Sequence, residues 1–170
     1  MAYDAYVLVM TQDTSIVNDP LADGWNQQQR YYWNTLGKYW QAMHQNDQLA
    51  ANALGQLGIP TDANIIVIAH GNSDRIGNKG DTLEIYPPDF ARFIKILTPA
   101  GPPRRIFIDA CQVNHAIFAA KVVTEMKETD SNHWSQTTVY GHEGPVCGQV
   151  PNFQGEGNGD WRYLGPNRAS

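Results

Sequence analysis

The chain has 170 residues, 12 Lys+Arg against 17 Asp+Glu for a formal charge of −5, and 42% hydrophobic residues. That is enough apolar material for a core at the length of one domain, which excludes intrinsic disorder. No run approaches the roughly 18 apolar residues of a membrane span, and an acidic balance without a basic cluster argues against nucleic acid or a membrane surface as partner. Two cysteines, Cys111 and Cys147, cannot build a disulfide framework and read as folding in a reducing compartment, the alternative being one disulfide between them. The apolar run Ala5–Met10 is too short for a signal peptide and lacks a basic flank, so the expectation is a cytoplasmic protein or one exported without a cleaved signal.

Ala5–Met10 reads as a buried strand. A polar loop follows to Gly24, and from about Gln27 the pattern turns helical, with Tyr32, Leu36, Tyr39 and Met43 on one face and Trp33 and Trp40 flanking it. This aromatic stripe reads as core or as a contact between copies of the chain. A second helix is expected from Asp47, with Leu49, Ala53, Leu54 and Leu57 inward, ended by Gly58 and Pro60. Ile65–Ala69 is apolar on both faces, like a central strand of a covered parallel sheet. After His70–Asp74 comes a small hairpin turning at Asn78–Asp81 and returning through Leu83–Tyr86. Pro87-Pro88-Asp89 opens a helix whose Phe90, Phe93, Ile94 and Leu97 share a face. Arg104–Asp109 is a further strand, a helix runs from about Val113 to Lys127, and Thr137–Gly141 is the last strand. The tail from Pro145 is loop-rich but keeps Phe153, Trp161, Tyr163 and Leu164 to pack on the body. Strands alternating with helices predict a single α/β domain over 1–170, with a mainly parallel sheet covered on both faces.

In such sheets functional groups gather beyond the carboxyl ends of the strands. One apolar strand delivers His70-Gly71 and another delivers Asp109-Ala110-Cys111. If these strands are neighbours, His70 and Cys111 meet across one edge, and the Pro87–Leu97 helix supplies the crossover. A thiol at a helix N-terminus is favoured as thiolate by free N–H groups and the macrodipole. A histidine beside it can protonate a leaving amine and then activate water. Gly71 has no Cβ, so its N–H can approach a substrate carbonyl and join the Cys111 N–H in an oxyanion hole. The bland account of each residue alone is a buried core cysteine and a loop histidine; the paired strand-then-motif order outweighs it.

These features resemble the caspase-fold cysteine peptidases, the clan of caspases, metacaspases, legumains, clostripain, gingipains, separase and bacterial toxin self-processing domains. Their shared signature is a hydrophobic strand ending in His-Gly and a later one ending in Ala-Cys, matched here at Ile65–Gly71 and Ile106–Cys111. Ala69–Gly77 looks like the loop after the histidine in toxin self-processing and related bacterial caspase-like domains, and Tyr140–Val146 is similar to their strand after the catalytic helix. The likeness spans residues 64–146; the first 60 residues and the 147–170 tail match nothing in it. It implies a caspase-like three-layer sandwich and a Cys111–His70 dyad without an obligatory third acid; no metal or cofactor is expected. In metacaspases and clostripain-like members an aspartate two positions before the nucleophile binds Arg or Lys in the specificity pocket. Asp109 holds that position, so the expectation is an endopeptidase, such as a bacterial effector, cutting protein or peptide substrates after basic residues. The alternative for Asp109 is bonding to nearby backbone N–H groups. Activation by inositol phosphate is not carried over, since Arg104-Arg105 is the one tight basic pair.

Two rivals stand beside this reading: a non-catalytic caspase-like interaction module, and another thiol-dependent α/β hydrolase pairing Cys111 with a base such as His142. His133, His142 and Cys147 follow no zinc-ligand spacing. His115 reads as a helix-surface residue, and His142-Glu143 as a loop beyond a strand end.

Overall fold

The computed structural model describes residues 3–12, 27–44, 57–71, 74–78, 80, 82–110, 115–142 and 161–166. Its strands are β1 Ala5–Val9, β2 Gln28–Tyr31, β3 Asn64–Gly71, β4 Ile76–Gly77, β5 Glu84–Ile85, β6 Arg105–Ala110, β7 Thr138–His142 and β8 Trp161–Pro166. The described helices are α1 Trp33–His44, α2 Pro87–Leu97 and α3 His115–Asp130. The main sheet runs β2-β1-β3-β6-β7-β8, parallel from β2 through β7 and antiparallel between β7 and β8. The hairpin β4–β5 hangs from the end of β3 in antiparallel pairing. The protein is thus mixed α/β with a predominantly parallel sheet.

The apolar runs explain the sheet's centre. Every residue of Ile65–Ala69 is buried, as expected where a strand has neighbours on both edges and cover on both faces. Alternation sorts the side chains into two sets. Tyr6, Leu8, Ile65, Val67, Ala69, Ile106, Ile108 and Val139 join one cluster with α1, α2 and α3. The helices lie side by side over that face: Trp40 of α1 meets Phe93 of α2 at 5.3 Å, and Phe90 of α2 meets Phe118 of α3 at 5.7 Å, both edge-on. Each such pair contributes about 0.5–1.5 kcal/mol beyond the area it buries. The other face, with Val7, Val9, Ile66, Ile68, Phe107, Asp109 and Tyr140, is equally buried, and Phe107 stacks on Tyr140 at 4.6 Å. The expected helices on both faces are therefore seen, among the described residues, as three helices packed on one.

α2 shows how local sequence sets an element. Pro at its first positions fixes φ where no N–H is needed, Asp89 faces the positive end, and Phe90, Phe93, Ile94 and Leu97 face inward. It ends at Thr98, whose hydroxyl donates to the Ile94 carbonyl at 2.9 Å.

Several expectations need correction. The helix expected from about Gln27 begins at Trp33, because Gln28–Tyr31 forms the parallel edge strand β2. That strand is pinned at its start by Asp4 N–H donating to the Gln27 carbonyl at 2.7 Å and Gln27 N–H donating to the Asp4 carboxylate at 3.1 Å. The inward face of α1 is Leu36, Trp40 and Met43, whereas Tyr32 precedes the helix and is 41% exposed. The tail adds a strand, β8, rather than loop alone. The polar loop after Gln12, the helix expected from Asp47, the start of the helix near Val113 and the loop around Glu143 lie outside the described residues.

Candidate active site

β3 and β6 are adjacent and parallel, paired from Asn64 opposite Arg105 to Ala69 opposite Ala110. His70 and Cys111 are the next residues of the two chains beyond that last pair. The condition for bringing them to one edge, that their strands be neighbours, is met. Parallel neighbours lie about 4.8 Å apart, so the register brings the two chains within side-chain reach where they leave the sheet. Cys111 itself, like Cys147, lies outside the described residues.

His70 and Gly71 are half-buried residues at the end of β3, and their backbone is paired to Gly77 and Ile76 of β4. Gly77 is required there: its φ is +146°, and a Cβ would stand 2.0 Å from the Leu83 carbonyl oxygen. The hairpin is fastened in turn by Asn78, which is buried. Its side-chain oxygen accepts from the Thr11 hydroxyl and the Gln12 N–H, both at 2.5 Å, and its amide nitrogen donates to the Thr82 hydroxyl at 2.9 Å. The histidine's strand end is therefore tied to the end of β1 as well as to its own hairpin.

Asp109 is fully buried and stands opposite Ile68 of β3. Strand alternation puts it on the face that His70 shares with Ile68, one row closer to the sheet centre, so the two residues are diagonal neighbours at roughly 8 Å between Cα atoms. Both make interactions with other groups. A carboxylate in so dry a place pairs strongly with any cation that reaches it.

The segment after Gly71 is also tied to α3. Lys121 donates to the Asp74 carboxylate at 2.8 Å, and this bond, with the Lys121 charge and then Arg75, holds the Asp74 carboxyl below its usual range. Arg75 pairs with Glu84 at 3.0 Å inside the hairpin. The first turn of α3 carries no acidic residue, so its positive end is left uncompensated from within the helix. Tyr86 and Ile117, which open α2 and α3 at this edge, are 42% and 47% exposed.

His142 ends β7, the other neighbour of β6. The β6–β7 register pairs Phe107 with Tyr140; carried two residues on, it sets His142 level with Asp109 and Ile68, two residues before His70 along the sheet. His133 sits just beyond α3, at the end remote from this edge. Burial, and then the nearby Lys95, press its imidazole below the usual value, with Asp130 opposing them. Among the described residues no three His, Cys, Asp or Glu side chains cluster as a metal site would require. Sequence reasoning missed Asn78 and its ties to Thr11 and Gln12; an Asn beside a hairpin glycine was the available signal, but its partners are 67 and 66 residues away. No family model, curated protein or solved structure matches the chain.

Proposed function

We propose that the protein is a cysteine endopeptidase of caspase-like architecture that cleaves after Arg or Lys. The observation that carries this is the adjacency of β3 and β6 in parallel register up to Ala69 and Ala110, from which His70 and Cys111 follow directly. In the reaction, the Cys111 thiolate attacks the scissile carbonyl carbon and the carbon–oxygen double bond becomes an oxyanion, held by the N–H groups of Gly71 and Cys111. The His70 imidazolium gives its proton to the leaving amine, and the acyl–thioester remains. His70 then takes a proton from water, hydroxide adds to the thioester carbon, and the second tetrahedral species collapses to release the acid and the thiol. Asp109 pairs with the substrate's guanidinium or ammonium on the acyl side of the bond.

The test is hydrolysis of fluorogenic peptides ending in Arg, Lys, Asp or Asn by the wild type and by Cys111→Ala. Turnover of Arg and Lys peptides that disappears in the variant is expected. Turnover of Asp or Asn peptides alone keeps the peptidase but removes the role given to Asp109, and no turnover at all favours the interaction module.

A further inference from the structure

The aromatic stripe of α1 is only partly consumed by the core: Trp40 is buried in it, whereas Trp33 packs at its margin. A cavity of about 500 Å³ opens beside it, within the roughly 300–1,000 Å³ of small-ligand pockets. Its floor is Trp33, Gly37 and Trp40, at helical spacing on one stripe. Glycine inside a helix is unfavourable, yet here it has a use: a Cβ at residue 37 would stand 3.0 Å from the Trp33 indole nitrogen and 3.2 Å from the adjoining ring carbon. Its absence lets the Trp33 ring lie against the helix. Trp40 is held by Phe93 on the core side and by the His44 ring at 4.6 Å.

The facing rim comes from two other elements. Gln12 follows β1 and Thr82 precedes β5, and Asn78 bonds to both, so the two walls are set by one buried amide. Gln41 and His44 complete the rim from α1. Among the described residues no Asp, Glu, Lys or Arg lines the cavity. The indole floor suits an occupant flat enough to lie on it, and the rim suits one polar at its edge to meet two glutamine amides and a hydroxyl. Asn78 is also the residue after Gly77, which pairs with His70, so the hairpin that walls the cavity is the one that holds the His70 backbone.

We propose that this cavity is an extended-substrate subsite that takes the tyrosine side chain of the peptide whose scissile bond meets His70. The assignment of the occupant rests on the peptidase reading above. The phenol ring stacks on Trp33, and its hydroxyl bonds at the Gln12–Gln41 rim. The subsite adds selectivity beyond the basic residue that Asp109 receives.

The experiment has two arms. In the first, fluorogenic peptides with Arg at the scissile position carry Tyr or Ala at each upstream position in turn. One position is expected at which Tyr lowers KM about tenfold or more with kcat little changed. Trp33→Ala erases that difference, and Gln41→Lys moves the preference to Glu. Gly37→Ala, which adds one methyl group against Trp33, weakens the preference while circular dichroism shows the fold intact. In the second arm, the indole N–H resonances of Trp33 and Trp40, assigned with Trp→Phe variants, are followed in Cys111→Ala protein during titration with N-acetyl-tyrosinamide. Saturable shifts are expected. Cleavage after Arg with no tyrosine preference, or indoles that ignore tyrosinamide, overturns the subsite and leaves the peptidase standing. If no peptide is cleaved, the peptidase reading fails and the indole shifts alone decide whether the cavity binds tyrosine. Shifts with methyl glucoside but not with tyrosinamide overturn the peptide assignment in favour of a neutral sugar.

Discussion

Ala69 of β3 stands opposite Ala110 of β6 in parallel register, and each is followed by a residue of the candidate dyad. The same register ranks the histidines. His70 comes one residue after the last β3–β6 pair, whereas His142 stands level with Asp109, two residues further back. His70→Ala is expected to lower kcat by about 10²–10⁴-fold, as loss of a general acid–base does, and His142→Ala to leave it within a few-fold. The reverse order, measured on one Arg peptide, would transfer the base to His142.

Asp109 is both buried and central to the specificity argument. Asp109→Asn keeps the shape and the hydrogen-bonding oxygen but removes the charge. The expected outcome is a loss of the Arg over Gln preference in kcat/KM by about two orders of magnitude, near the upper range that one paired charge sustains. A parallel fall for all peptides, with a lowered Tm, would instead make Asp109 a structural carboxylate.

Gly77 and Asn78 hold the strand end that bears His70. Gly77→Ala places a Cβ against the Leu83 carbonyl in a backbone region that L-residues avoid, at a cost of about 1–3 kcal/mol. Asn78→Ala leaves the buried Thr11 hydroxyl without this partner, at a similar cost of about 1–3 kcal/mol. Urea unfolding midpoints measure both. Catalysis is expected to fall more than stability explains, because the hairpin also sets the His70 backbone.

The ion pairs make a pH prediction with a definite sign. Lysine hydrogen bonds hold the Asp74 and Asp130 carboxyls below the usual 3.8, from Lys121 and Lys95 respectively. Their contribution is therefore complete above the unfolded value and is lost as pH falls through the folded ones. Lys121→Ala and Lys95→Ala are expected to lower Tm slightly at neutral pH and to match the wild type once both carboxyls are protonated. Both groups are exposed, so salt diminishes the difference as well. His133 acts at higher pH: with its folded value pressed below 6.5, stability declines as pH drops through and below that point, and His133→Asn flattens this limb. Thermal melts across pH 3 to 8 test all three.

The parts of the fold legible in the sequence are those whose side chains carry the signal. β3 carries the apolar run Ile65–Ala69 and β6 the run Ile106–Ile108, α2 has prolines at its start and a regular apolar stripe, and the hairpin has its turn residues. β2 was illegible because Gln28–Tyr31 joins the sheet through its backbone at an edge, where no apolar alternation is demanded. The inward face of α1 was not decided by spacing, because Leu36 and Met43 accept either Tyr39 or Trp40 between them at helical intervals; the structure turns Trp40 inward and leaves Tyr39 beside the core. At the site, the order of the motifs was visible. The cavity over Trp33 was not, since its far wall comes from Thr82 and Gln12, which only tertiary folding brings to α1.

The hairpin β4–β5 also has a bearing on the order in which the molecule assembles. Two strands of two residues each cannot persist alone in water. Their tie to Thr11 forms only after β1 and β3 have joined. The hairpin edge that bears His70 is therefore expected to open before the sheet centre, and amide protons of Gly77 and Asn78 should exchange with deuterium sooner than those of Val67 and Ile108. A local opening there would silence His70 while the sheet centre stayed closed, so activity would vanish on warming before the protein as a whole unfolds.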